Sequence, residues 1–331
     1  MSLATPNDKS PLAPHILAVA LVAVTAVLLC FGALVTTYDA AMAVPDWPGT
    51  YGHNMFLFPL AEWLGGPWDL FLEHGHRLLG ATVGLLTLLA AAACFRWERR
   101  GVVRGLAAAA VLLVVIQGLL GGMRVLLDDR TIAKVHACTG PLFFGVAIAI
   151  AALTSRRLRG MADASPVMAC SAAGLLAAAY AQLVAGAQLR HLDTAVDPRS
   201  FAWLVAIHLA GAATVAILAA VAAGISWARV GLPNSPSSAR LLAGWATAIF
   251  AVVLLQILLG AAAWLVSWGV PDGWLGEVLG SFSTGLLEAR SGRSALVVTG
   301  HVVLGMLIFG MTVVLAVIAG PPGGRRLEET V

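Results

Sequence analysis

Four histidines carry the chemistry open to this sequence: His76, His136, His208 and His301. Each falls in an apolar run, where an imidazole is costly and needs a reason. Imidazoles on facing helices can grip a haem iron from both axial sides, and two such pairs would hold two haems. Glu73 stands one helical turn before His76, on the same face, where a carboxylate could take or deliver a proton. Arg77 follows His76 directly and could pair with a haem propionate. Plainer readings exist for each. The histidines could be packing or interfacial groups, Glu73 could open a helix whose dipole favours negative charge, and Arg77 could snorkel to the membrane surface.

Pattern favours the chemical reading. The four histidines sit on alternate apolar segments, each within about eight residues of the same side, so they share one depth at 1.5 Å per residue. A zinc or copper centre would need three or four donors on one atom, whereas these divide two and two. Gly80, Gly140, Gly211 and Gly305 lie one turn deeper and would let a flat macrocycle approach the backbone. Arg124, Lys134, Arg190 and Arg293 are further cations at the same helix ends. His15, His53, His74 and His191 fall at or beyond the ends of the runs and stay outside the ligand set. The second half has no acid one turn before His208; Phe201 and Trp203 occupy that neighbourhood. The two halves are therefore expected to be alike in fold and unequal in chemistry.

The elements that must position these residues are membrane helices. Hydrophobic residues make up 60% of the 331 and charged ones only 11%, with mean hydropathy +0.89, which excludes a water-soluble core. Eight apolar segments, at 15–36, 73–95, 105–127, 132–154, 167–189, 201–224, 241–268 and 295–319, are each long enough to span the hydrocarbon. The run beginning near His15 is too long for a signal-peptide core and reads as a retained helix. Arg96, Arg99, Arg100, Arg104, Arg156, Arg157, Arg159, Arg229, Arg240, Arg325 and Arg326, with Lys9, fall on one side, while 37–72 holds no Lys or Arg. The positive-inside rule then puts both termini in the cytoplasm and the histidines near the outer face of the cell's inner membrane. No clustered basic surface suited to nucleic acid is present.

Short echoes suggest a duplicated four-helix unit: QGLLG from Gln117 and QILLG from Gln256, HRLLG from His76 and HVVLG from His301. The expected fold is all-α and polytopic, with two pseudo-repeated four-helix bundles over residues 1–160 and 161–331. The long first outer loop contains Pro45, Pro48, Pro59 and Pro67 with Trp47, Tyr51, Phe56, Trp63 and Trp68. It is expected either to cap a cavity or to lie on the membrane surface. A later loop, 269–294, carries Trp274 and would serve the second half in the same way.

The eight segments, the four histidines, the GALVTT run from Gly32, the PDWP from Pro45, the EHGHR at 73–77 and the QGLLGG from Gln117 together resemble the haem A synthase family. That resemblance implies oxidation of the C8 methyl of haem O to the formyl group of haem A, for assembly of the terminal cytochrome oxidase. It implies substrate haem between His76 and His136 with Glu73 beside it, and haem b between His208 and His301. Haem O synthase and an electron partner are implied associates, and small-residue helix faces would permit a homo-oligomer. Many bacterial members carry a cysteine pair in the first outer loop; here Cys30, Cys94, Cys138 and Cys170 all lie in or beside apolar runs. The main alternative is a quinol-linked di-haem b-type electron-transfer protein, which would need the histidines but not Glu73.

Overall fold

The computed structural model describes residues 11–158, 165–192, 196–232, 235, 237–269 and 292–321. Lys9, Arg159, Arg325, Arg326 and the Trp274 loop lie outside the described residues. Among the described residues, eight helices are long and apolar enough to cross a membrane, as the sequence patterning required. They are α1 (Ala13–Thr37), α3 (Trp68–Trp97), α4 (Gly101–Leu127), α5 (Arg130–Thr154), α6 (Pro166–Arg190), α7 (Pro198–Val230), α8 (Ser237–Trp268) and α9 (Gly292–Ala319). A short helix, α2 (Leu60–Gly65), lies within the loop between α1 and α3.

Helix starts follow local chemistry. Asp129 and Asp197 cap α5 and α7 by accepting from the main-chain N–H of Ile132 and of Arg199 and Ser200. Proline stands in the first turn of α1, α6 and α7, where its missing N–H costs nothing. The second span begins five residues before the apolar run does, because Pro67 breaks the chain and Asp69 opens the helix. Glu73 and His74 therefore lie inside α3, not at its mouth.

Each half closes a ring of helix contacts. In the first, α1 packs on α3, α3 on α4, α4 on α5, and α5 back on α1; in the second, α6, α7, α8 and α9 repeat that cycle. The halves meet where α9 contacts α5 and α1, and where α5 contacts α6. Glycines make the α5–α9 seam close: a Cβ on Gly145 would stand 2.8 Å from the Phe309 ring, and one on Gly310 2.7 Å from Ile148. At one end of the seam Arg190 of α6 donates to the Ala33 carbonyl and the Thr37 hydroxyl of α1, at 2.6 and 2.7 Å. Interhelical hydrogen bonds and small-residue contacts are the forces available where lipid removes the hydrophobic drive between helices.

Candidate functional site

His76, His136, His208 and His301 come from α3, α5, α7 and α9, at eight, six, ten and nine residues past the first helical residue. All four thus lie roughly 9–15 Å along their helices from the same end of the molecule. Each is half-buried, and each ring rests on a glycine of a neighbouring helix. A Cβ on Gly32 of α1 would lie 3.0 Å from His76 Cε1, and one on Gly121 of α4 3.4 Å from His136 Cε1. The corresponding distances are 3.2 Å from Gly186 of α6 to His208 and 2.8 Å from Gly260 of α8 to His301. These seats were not among the glycines that sequence spacing singled out. The QGLLG and QILLG echoes contain two of them, as the glycine four residues after the glutamine.

The glycines expected to admit a macrocycle have another use. A Cβ on Gly140 would meet Gln117 Oε1 at 3.7 Å, one on Gly211 would overlap the Gln182 amide, and one on Gly305 would meet Gln256 Nε2 at 3.2 Å. Three of the four therefore seat a glutamine amide. Around Gly80 no side chain or neighbouring helix among the described residues comes within 4 Å of such a Cβ.

The ring nitrogens suit axial ligation. Nδ1 of His76, His136 and His301 is buried and makes no hydrogen bond, although each ring stands beside a main-chain carbonyl, of Leu28, Gln117 and Gln256 respectively. A ring whose Nδ1–H turns to a carbonyl presents Nε2 to a metal, the usual division of labour in a ligating imidazole. His208 differs in that the Gln182 amide nitrogen lies 3.1 Å from its Nδ1 and 3.4 Å from its Nε2. The His208 and His301 ring centroids are 6.3 Å apart. Two imidazoles each bonded at ~2 Å to one shared ion would stand with centroids about 6 Å apart, so this pair is spaced to hold one. His76 and His136 lie within electrostatic reach of each other. No three of His, Cys, Asp and Glu converge on a metal position among the described residues; the donors come in pairs.

The EHGHR stretch serves the loop between α1 and α3. Glu73 is 4% exposed; its Oε2 accepts the Val44 N–H at 2.9 Å and its Oε1 accepts from Arg77 at 2.8 Å. Arg77 also donates to the carbonyls of Val44, Asp46 and Gly49, at 2.6, 2.6 and 2.8 Å. Both of its Nη groups are thus engaged with loop and Glu73, which leaves Nε for any propionate. His74, set aside in the sequence reading, is 1% exposed. Its Nδ1 lies 3.0 Å from the Thr50 hydroxyl, and the rings of Phe58 and Trp63 pack on it. Opposite, the Trp47 indole fits against Gly122, where a Cβ would stand 2.5 Å away, and Arg124 donates to the Ala41 carbonyl at 3.1 Å. The Gly121-Gly122 pair therefore takes the His136 ring on one residue and the loop's tryptophan on the next. Asp46 shapes the loop's turn by accepting from the N–H of Tyr51 and Gly52. Its partial burial would raise its pKa, but those bonds and the Arg77 charge hold it below the usual carboxylate range.

Beside the site, His191 caps α6. Burial, then the charges of Arg190, Arg124 and Lys134, push its imidazole down to about 4, so it is neutral at physiological pH. Arg124 lies near Glu73, His76 and His136, and Arg190 near His301. Helix ends carrying arginine were visible in the sequence; which of them turns inward was not.

Among the described residues, eight membrane-length helices carry four histidines at matching distances from their helix starts, which defines a polytopic helical membrane protein. Residues 68–204 match the family model COX15-CtaA, described as a cytochrome oxidase assembly protein, so the family resemblance read from the motifs is borne out over that stretch. The matched stretch starts at the first residue of α3 and contains Glu73, His76, Arg77 and His136. Comparison with curated proteins gave no match.

Proposed function

We propose that this protein is a haem A synthase, oxidising the C8 methyl of haem O to the formyl group of haem A for cytochrome oxidase assembly. The observation that carries the reading is the set of four histidines seated on glycines, two in each ring of helices, with His208 and His301 at the spacing of a shared iron. In this reading His76 and His136 bind substrate haem O, and His208 and His301 hold haem b. Haem iron held between imidazoles supplies one-electron chemistry within the membrane. With water as the oxygen source, converting the methyl to a formyl group releases four electrons and four protons, and the electron partner would take the electrons. Glu73 is the buried carboxylate one turn before His76 able to take a proton in place of its Arg77 or Val44 bond. Arg77 holds the loop above the first pair against water and offers Nε to a propionate.

The wider arrangement follows from the same proposal. Residues 1–160 and 161–331 form pseudo-repeated four-helix bundles, both termini are cytoplasmic, and the histidines lie near the outer face of the inner membrane. Haem O synthase would supply the substrate, the terminal oxidase assembly would take the product, and a separate electron partner would complete the reaction. Self-association through small-residue helix faces is compatible with this scheme.

Co-expression with a haem O synthase, followed by extraction and separation of the haems, tests the reading. Haem A with the natural chain and its loss with Glu73→Ala are expected. Haem B alone from both chains would replace the synthase with the di-haem electron-transfer protein.

A further inference from the structure

Three of the four histidine seats share a rule that the fourth breaks. On the helix carrying each seating glycine, the residue four positions earlier stands one turn away on the same face. For His76, His136 and His301 that residue is Leu28, Gln117 and Gln256 respectively, and its main-chain carbonyl stands beside the ring. An imidazole bound to a metal through Nε2 carries its proton on Nδ1, where it wants an acceptor. A main-chain carbonyl can only accept, so those three rings are set for ligation by backbone alone. For His208 the residue is Gln182, and it meets the ring with its side chain.

The Gln182 amide is held one way round. Its Nε2 donates to the His208 carbonyl at 2.9 Å, a separation that suits a donor and would set two oxygens against each other if the amide were reversed. The same nitrogen lies 3.1 Å from Nδ1 and 3.4 Å from Nε2 of the His208 ring. An N–H aimed at Nδ1 needs that nitrogen bare, which leaves the ring proton on Nε2, the nitrogen that a metal would take. Gln182 Oε1, meanwhile, is buried without a partner. Gln256 Oε1 is unpartnered as well, but the His301 ring already stands beside the Gln256 main-chain carbonyl. Gln182 thus holds a donor that opposes the ligating form of His208 and a spare acceptor that would favour it.

We propose that Gln182 is the positioning residue of His208: when its Oε1 accepts from Nδ1–H, it selects the tautomer with Nε2 free and sets how strongly that nitrogen donates. This rests on the haem reading above and adds that, of the four ligands, His208 alone is governed by a side chain. A good acceptor at Nδ1 makes an imidazole a stronger donor, which favours oxidised iron and lowers its potential; losing the acceptor raises it.

Spectroelectrochemical titration of the purified full chain, with haem bound as isolated, tests this, the second site being the step that His301→Ala removes. Gln182→Met, close in size but unable to bond the ring, should raise the potential of that step and leave the other where it was. Gln256→Met is the control. It removes the same kind of bond to a histidine carbonyl, but the main-chain carbonyl beside the His301 ring remains, so the potential should stay unchanged. If Gln182→Met does not fold, the same comparison is made with Gln182→Leu and Gln256→Leu. Equal shifts from the two positions would show that the amide only joins helices, and no shift at Gln182 would show that it does not reach the ring. Both outcomes overturn the inference and leave the haem reading intact. A natural chain that binds no haem would remove that reading, and this inference with it.

Discussion

The two halves use the same helix order and the same glycine seats, yet they surround their histidines differently. In the first half the connection from α1 to α3 is long. It is bound to Glu73, His74, Arg77, Gly122 and Arg124. In the second half the step from α6 to α7 is only a few residues, and the positions matching Glu73 and Arg77, counted from the histidine, are Val205 and Leu209. Leu209 is exposed. Among the described residues, the first site is covered by the connection from α1 to α3 and carries a buried ion pair, while the second has apolar side chains at the matching positions and two glutamine bonds to histidine carbonyls. The difference teaches that the same histidine seats can be kept while the side chains one turn before and just after the histidine change.

The severest test of this comparison, on the proposed haem reading, removes the histidines. His76→Ala should abolish haem A formation and lower the haem per chain while keeping the second site's spectrum. His301→Ala should remove that second spectrum and spare binding in the first, as read by pyridine haemochrome and visible absorption. Loss of both haems from either single variant would show that the halves are not separate sites.

Next in size is the ion pair. Arg77→Met leaves the Glu73 carboxylate buried without its cation, a change that costs about 3–5 kcal/mol where such pairs are broken. Thermal unfolding should register it, together with faster proteolysis inside residues 38–67. Leu209→Met, the matching change in the second half, should move stability by less than about 0.5 kcal/mol. Equal effects would dissolve the distinction between the halves. Gly122→Ala is expected to cost about 1–3 kcal/mol by forcing Trp47 outward, and to open the same loop to protease.

The smallest effect is a pH dependence. His191 sits near 4 in the folded chain, below its ordinary value of 6.5, so the unfolded chain binds the extra proton between those limits. Its contribution to stability is complete above about pH 6.5, falls as pH drops towards 4, and is constant below that. His191→Gln should flatten the melting temperature across that window; an unchanged profile would show the imidazole to be solvated.

The eight spans and the four histidines were legible because a membrane writes itself into sequence as length and apolarity, and an imidazole within such a run stands out. Glu73 was legible as an anomaly in the same way. Its partners were not. The run of apolarity starts at 73, while the helix starts at Trp68, and that shift of five residues turned His74 from a boundary residue into a buried one. Pro67 and Asp69 were the signal that could have placed the start correctly.

Sequence by itself determined the membrane class, the number of spans, the matching depth of the four histidines and the inequality of the halves at Glu73, since each depends on residue type and spacing along a single helix. Tertiary structure alone decided that Gly32, Gly121, Gly186 and Gly260 seat the rings, that Gln182 and Gln256 reach the carbonyls of His208 and His301, and that Arg77 gives its guanidinium to loop carbonyls. Those are contacts between helices far apart in the chain. No periodicity along one helix records which face of another it will meet.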